Sequence, residues 1–131
     1  MHPDRAPALP PGVRVLVVED DFMVARSLEF LLRANGFDVV GMAASVEAAL
    51  RFTDRVPFDV AILDVNLRGG TVARFADKLV ELGRPFIFLT GYGDLELLEE
   101  HLRDRPRLDK PVDPEVLITT MADLLAVSEP P

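Results

Sequence analysis

"VRVLVVEDD", residues 13–21, is a run of β-formers broken only by Arg14 that meets Glu19, Asp20 and Asp21 with no turn residue between. A short, non-alternating apolar run suits a strand buried on both faces. The acids at its end raise a difficulty. Two unit charges about 4 Å apart repel by roughly 4 kcal/mol at an effective dielectric of ~20. Either the carboxylates splay into water, or a cation sits among them.

The same design recurs along the chain. "FDVAIL", 58–63, is a second buried run, and Asp64 follows it. "PFIFL", 85–89, is a third, with its proline at the first position, where a strand tolerates it, and Thr90 after it. Phe37–Ala43 reads as β, and a short strand is expected near Arg107–Asp109, just before Lys110.

Helical spacing fills the gaps. Val24, Leu28, Leu31 and Leu32 fall on one face of a helix over Phe22–Asn35, which Asn35-Gly36 should end. Asp21 caps that helix better than it would bind a metal. Ser45 caps a second helix carrying Val46, Ala49 and Leu50. Thr71–Leu82 has Val72, Phe75, Ala76, Leu79 and Val80 on one stripe. Leu95, Leu98 and Leu102 suggest a weaker helix. Asp113-Pro114 starts the last one, with Leu117, Met121, Leu124 and Leu125 turned inward. "NLRGG" and "TGYGD" are expected loops. Five strands alternating with five helices predict an α/β, doubly wound parallel sheet with helices on both faces. Residues 1–12 and 128–131 are expected to be a disordered arm and tail around one domain over 13–127.

Composition narrows the function. The 131 residues are 49% hydrophobic and 27% charged, which suits one globular domain. The net charge of −8 disfavours non-specific binding to nucleic acid or anionic membrane. No cysteine is present, which excludes disulfides, thiolate metal sites and cysteine nucleophiles. The histidines are His2 and His101 alone, too few for a histidine metal site. No apolar run nears the ~20 residues of a bilayer span, and the leader lacks a signal-peptide core, so a cytoplasmic protein is expected.

In a doubly wound sheet, ligands bind beyond the carboxyl ends of the strands. Glu19, Asp20, Asp64, Thr90 and Lys110 should therefore share one edge. An all-oxygen cluster suits Mg²⁺. A carboxylate, a hydroxyl and a lysine beside such an ion point to phosphoryl transfer onto an aspartate.

"VLVVEDD", "VAILDVNL", "FIFLTGYG" and "DKPVDPEVL", in this order and spacing, resemble bacterial response-regulator receiver domains over about residues 13–127. "PFIFLTGYG" also resembles the FATGUY subgroup, with a leucine where that motif has alanine. The resemblance implies a flavodoxin-like strand order 2-1-3-4-5. It also implies roles. Asp64 would accept the phosphoryl group. Asp20 would bind Mg²⁺ (or Mn²⁺) directly and Glu19 through water, with the backbone carbonyl of Asn66 as a further ligand. Thr90 and Lys110 would each contact a phosphoryl oxygen, and the Lys110–Pro111 bond would be cis. The donor would be a histidine kinase or histidine phosphotransfer protein, with HWE-type kinases suggested by the subgroup. A non-enzymatic, stand-alone regulator would act by binding a partner or by draining phosphate.

The chain also departs from the pattern. Glu19 replaces the more frequent aspartate. Arg107 stands where many receivers carry a switch aromatic, so the loop "TGYGD", with Tyr92, is expected to carry the change. Two alternatives stay open. One is a degenerate receiver acting as a phosphate-independent adaptor. The other is an aspartyl-phosphate hydrolase, which would need an acid where Asn66 stands.

Overall fold

The computed structural model describes residues 12–67 and 70–128. The expected arm and tail lie outside them, apart from Gly12 and Ser128, the last residue of the final helix. The main sheet holds β1 (Arg14–Val18), β2 (Asp38–Ala43), β3 (Val60–Asp64), β4 (Phe86–Thr90) and β5 (Arg107–Asp109). The α-helices among the described residues are α1 (Phe22–Ala34), α2 (Val46–Arg55), α3 (Ala73–Leu82) and α4 (Pro114–Ser128). The strands are all parallel, and their spatial order is 2-1-3-4-5.

Side chains alternate across a strand, so each apolar run feeds two cores. Val15 and Val17 of β1, Val60 and Ile62 of β3, and Ile87 and Leu89 of β4 pack with Leu28 and Leu32 of α1 and Leu117 and Met121 of α4. Leu16, Val18, Ala61, Leu63, Phe86 and Phe88 pack on the other side with Ala49 of α2 and Phe75, Ala76 and Leu79 of α3. Burial on both faces explains why these strands show no polar alternation.

The caps follow the sequence. Asp21 Oδ1 accepts from the Met23 and Val24 amides at 2.9 and 3.2 Å. Ser45 Oγ accepts from the Ala48 amide at 3.1 Å. Asp113 Oδ1 accepts from the Glu115 amide at 2.9 Å. Gly36 adopts φ 87° just past α1, where an L side chain would be strained.

Several expectations need correction; the third helix starts at Ala73, and Val80, expected on its inward stripe, is exposed. α1 buries Ala25, Leu28 and Leu32, while Val24 is turned outward and Phe22, Met23 and Phe30 are exposed. Alanine adds little to an apolar stripe in sequence, but its small size lets the helix approach the sheet. The segment around Leu95–Leu102 forms two 3₁₀ turns, Asp94–Leu97 and Glu100–Leu102, in place of an α-helix. Leu98 and Glu99 are extended between them. This break lets both Leu98 and Leu102 drop into the core. A continuous helix would also set Glu96 against Glu99 and Glu100 at i+3 and i+4, a like-charge arrangement that destabilises helices. Finally, "NLRGG" is not wholly a loop: Asn66–Leu67 pairs antiparallel with Gly70–Thr71.

The β1–β2 pairing shifts register between Val15 and Leu16, which brings Leu16 opposite Gly41. A Cβ on Gly41 would overlap the Phe52 ring of α2. Gly41→Ala should therefore destabilise the fold by about 1–3 kcal/mol, the usual cost of overpacking. A Phe52→Leu background should relieve much of that loss. Urea unfolding of the single and double variants measures both.

Candidate functional site

Backbone pairing carries the functional residues to one edge. The Glu19 amide donates to the Ala43 carbonyl at 2.9 Å, one step beyond β1. The Lys110 amide donates to the Thr90 carbonyl at 2.8 Å, one step beyond β5. Asp64 ends β3 between them, next to β4. The sheet ladders thus fix the positions before any side chain interacts.

Glu19, Asp20 and Asp64 each offer a carboxylate oxygen, and these oxygens lie within 4.8 Å of one another. Glu19 is 5% exposed and Asp64 3%. Lys110 Nζ donates to Asp64 Oδ1 at 2.8 Å, and the Asn66 amide donates to the same oxygen at 3.2 Å. The Lys110–Pro111 peptide bond is cis. Asp21 remains a helix cap, as expected.

The electrostatics show what the cluster lacks. Burial, followed by the adjoining Asp64 carboxylate, pushes the Glu19 carboxyl up to about 8; the nearby Lys110 charge opposes this. Partial burial would lower the Lys110 pKa, but its hydrogen bond to Asp64 and the charges of Asp64, Glu19 and Asp94 raise it overall. Glu19 Oε2 is buried with no hydrogen-bond partner. A buried, unpartnered carboxylate oxygen among acids fits a hard cation with oxygen ligands, such as Mg²⁺.

Thr90 is brought to the same edge, but its hydroxyl faces the other way. Thr90 Oγ1 donates to Asp109 Oδ1 at 3.1 Å and lies 3.4 Å from the Leu108 carbonyl. Tyr92 is fully exposed. Arg107 is exposed as well, its Nη1 donating to the Arg103 carbonyl at 2.9 Å, so no aromatic occupies that position.

Two acids beside the site were not singled out from sequence. Asp94 is buried, and its carboxylate accepts from the Gly91 amide at 2.7 Å, which folds "GYGD" back on itself. An acid three residues after the start of a turn is the capping-box spacing, so a signal was present. Asp109 gave none, being one polar residue at a strand end.

The sequence model of the response regulator receiver domain matches residues 15–122. The chain belongs to the response regulator receiver domain family. Receivers of this kind are signalling domains of two-component systems. The chain is 31% identical over 117 residues to the uncharacterized transcriptional regulatory protein YbdJ of Bacillus subtilis, covering 87% of this chain and 51% of YbdJ. It is 31% identical over 108 residues to the transcriptional regulatory protein FixJ of Rhizobium meliloti, covering 79% and 52%. It therefore spans about half the length of these curated relatives. Among solved structures, SdrG from Sphingomonas melonis Fr1 superposes with a TM-score of 0.77 at 35% identity, covering 89% of this chain and 99% of SdrG. No helix among the described residues is long and apolar enough to cross a membrane.

The raised Glu19 pKa makes stability depend on pH in a definite direction. The folded receiver keeps a proton that the unfolded chain gives up above about 4.5. Without metal, stability should fall as pH rises from about 4.5 toward 8, then level off. Glu19→Gln should flatten that fall. Urea midpoints of both proteins across the interval, in chelator, measure it; equal slopes would place the proton elsewhere.

Proposed function

We propose that this receiver accepts a phosphoryl group on Asp64 from a phosphohistidine donor. The observation that carries the reading is the Asp64 carboxylate, buried at a strand end, bound by Lys110 at 2.8 Å and set among two further acids. In the transfer, an Asp64 oxygen attacks phosphorus and the P–N bond to the donor imidazole breaks. The bonding pair leaves with the nitrogen, and an acyl phosphate forms on Asp64.

The chain's own groups have separable tasks. The Asn66 amide and Lys110 orient the carboxylate. Lys110 then neutralises an oxygen of the arriving phosphoryl group, a charge-assisted contact that exists only once phosphate is present. Glu19, Asp20, Asp64 and the Asn66 backbone carbonyl would hold Mg²⁺, with Mn²⁺ able to substitute. When bound, the ion offsets phosphoryl charge that the acids would otherwise repel. The Asn66 amide side chain cannot transfer a proton, which argues against a hydrolase.

A donor protein must cover the rim of this pocket to reach Asp64. Lys110 and Pro111 line a mostly apolar groove of about 510 Å³ whose other wall includes Met23, Val24 and Leu31 of α1. Phe22, Met23 and Phe30 stand exposed on the same helix. Exposed apolar side chains beside an apolar groove suit a contact surface. We read this face as the seat of a histidine kinase or histidine phosphotransfer protein. The FATGUY-like stretch makes HWE-type kinases the first to test. Output would be partner binding or removal of phosphate from the donor.

Incubation with Mg²⁺ and acetyl phosphate should add one phosphoryl mass, mapping to Asp64 and absent in Asp64→Ala. Intact-mass and peptide mass spectrometry decide. A phosphoryl gain that survives Asp64→Ala would refute the assignment.

A further inference from the structure

The Thr90 hydroxyl is committed to a residue outside the phosphoryl pocket. It donates to Asp109 Oδ1 at 3.1 Å, with the Leu108 carbonyl a longer acceptor at 3.4 Å, whereas Lys110 and the Asn66 backbone amide donate to Asp64. Thr90 and Asp109 are register partners on the adjacent strands β4 and β5. Asp109 precedes Lys110 directly, so the strand-end alternation sends one side chain to Asp64 and the other to Thr90.

We propose that Asp109 is a positioning residue that holds the Thr90 hydroxyl away from Asp64 in the unmodified protein and must release it when a phosphoryl group arrives. The inference rests on Asp64 being the phosphoacceptor. The chemistry fits a releasable hold. Thr90 is 4% exposed, so its hydroxyl needs an acceptor at all times. Asp109 is exposed, so water can take over its carboxylate once the threonine leaves. A carboxylate at a dry position would have held the hydroxyl too tightly to switch. The phosphoryl oxygens supply the competing acceptor, and the exchange swaps one charge-assisted hydrogen bond for another. With Arg107 exposed and no aromatic in its place, the Thr90 hydroxyl ties β4 to β5 beside the direct Lys110–Asp64 contact.

By population-shift logic, an acceptor that stabilises the resting arrangement lowers apparent affinity for any phosphoryl group by the same factor. Removing it should raise that affinity, by about three- to tenfold for one partly solvated hydrogen bond. Beryllofluoride with Mg²⁺ is the probe, and its binding is followed by amide shifts in NMR. Asp109→Ala should bind it about three- to tenfold more tightly than wild type. Asp109→Asn keeps an acceptor oxygen and loses the charge assistance, so its affinity should fall between those of wild type and Asp109→Ala. In a Thr90→Val background, Asp109→Ala should change nothing. In the unmodified protein, Asp109→Ala should alter the Thr90 methyl shift and side-chain couplings.

Each other result counts against the proposal. Equal affinity in wild type and Asp109→Ala overturns the hold. A gain in Asp109→Asn as large as that in Asp109→Ala, or one that persists with Thr90→Val, assigns the effect to charge instead of the hydroxyl. Failure of wild type to take phosphate on Asp64 under acetyl phosphate overturns the phosphoacceptor reading and this inference together. Wild type phosphorylated on Asp64 with no effect of Asp109→Ala overturns the inference alone.

Discussion

The structure turns on one constraint: like charges crowded at the dry end of a sheet. Glu19, Asp20 and Asp64 bring carboxylate oxygens within 4.8 Å of each other, two of the three residues nearly without solvent. Lys110 offsets part of that repulsion through its 2.8 Å contact with Asp64. The remainder shows in Glu19, whose carboxyl holds its proton up to about 8 and whose Oε2 has no partner. Such a cluster is destabilising by itself, and its sense lies in what it can receive. In the proposed function a divalent cation would satisfy the acids, and a phosphoryl group the lysine and the cation.

The fold is what makes this arrangement sustainable. Parallel strands buried on both faces supply two cores, and these anchor the edge against its own repulsion. The ladders run one hydrogen bond past β1 and β5, to Glu19 and Lys110. The charged residues therefore sit where backbone geometry puts them. Loops alone would let the acids swing into water and separate. Among the described residues the positive-φ positions are all glycines, Gly12, Gly36, Gly83 and Gly93, while the cis Lys110–Pro111 bond lies at the site itself.

Much of this was legible in the residues themselves. Continuous apolar runs ending in acids gave the buried strands, and Asp21, Ser45 and Asp113 announced three helix starts. The parallel order then brought Glu19, Asp20, Asp64, Thr90 and Lys110 together. Legibility failed where tertiary packing chose between near-equal local options. Ala25 took the place of Val24 because close approach outweighed side-chain size. The leucines at 95, 98 and 102 satisfy a helical spacing, yet the chain breaks at Leu98 to bury two of them amid three glutamates. The partner of the Thr90 hydroxyl was beyond reach, because strand pairing at β5 places Asp109 there and no local pattern points to it.

The central claim is that the acid edge is built to receive a cation. A Mg²⁺ titration of the unphosphorylated protein, followed residue by residue in amide NMR spectra, tests it most directly. Shifts should centre on residues 19–21, 64–67 and 110, with the melting temperature rising by mass action and both responses largely lost in Asp20→Asn. Shifts scattered over the surface acids, or an unchanged response in Asp20→Asn, would contradict the account.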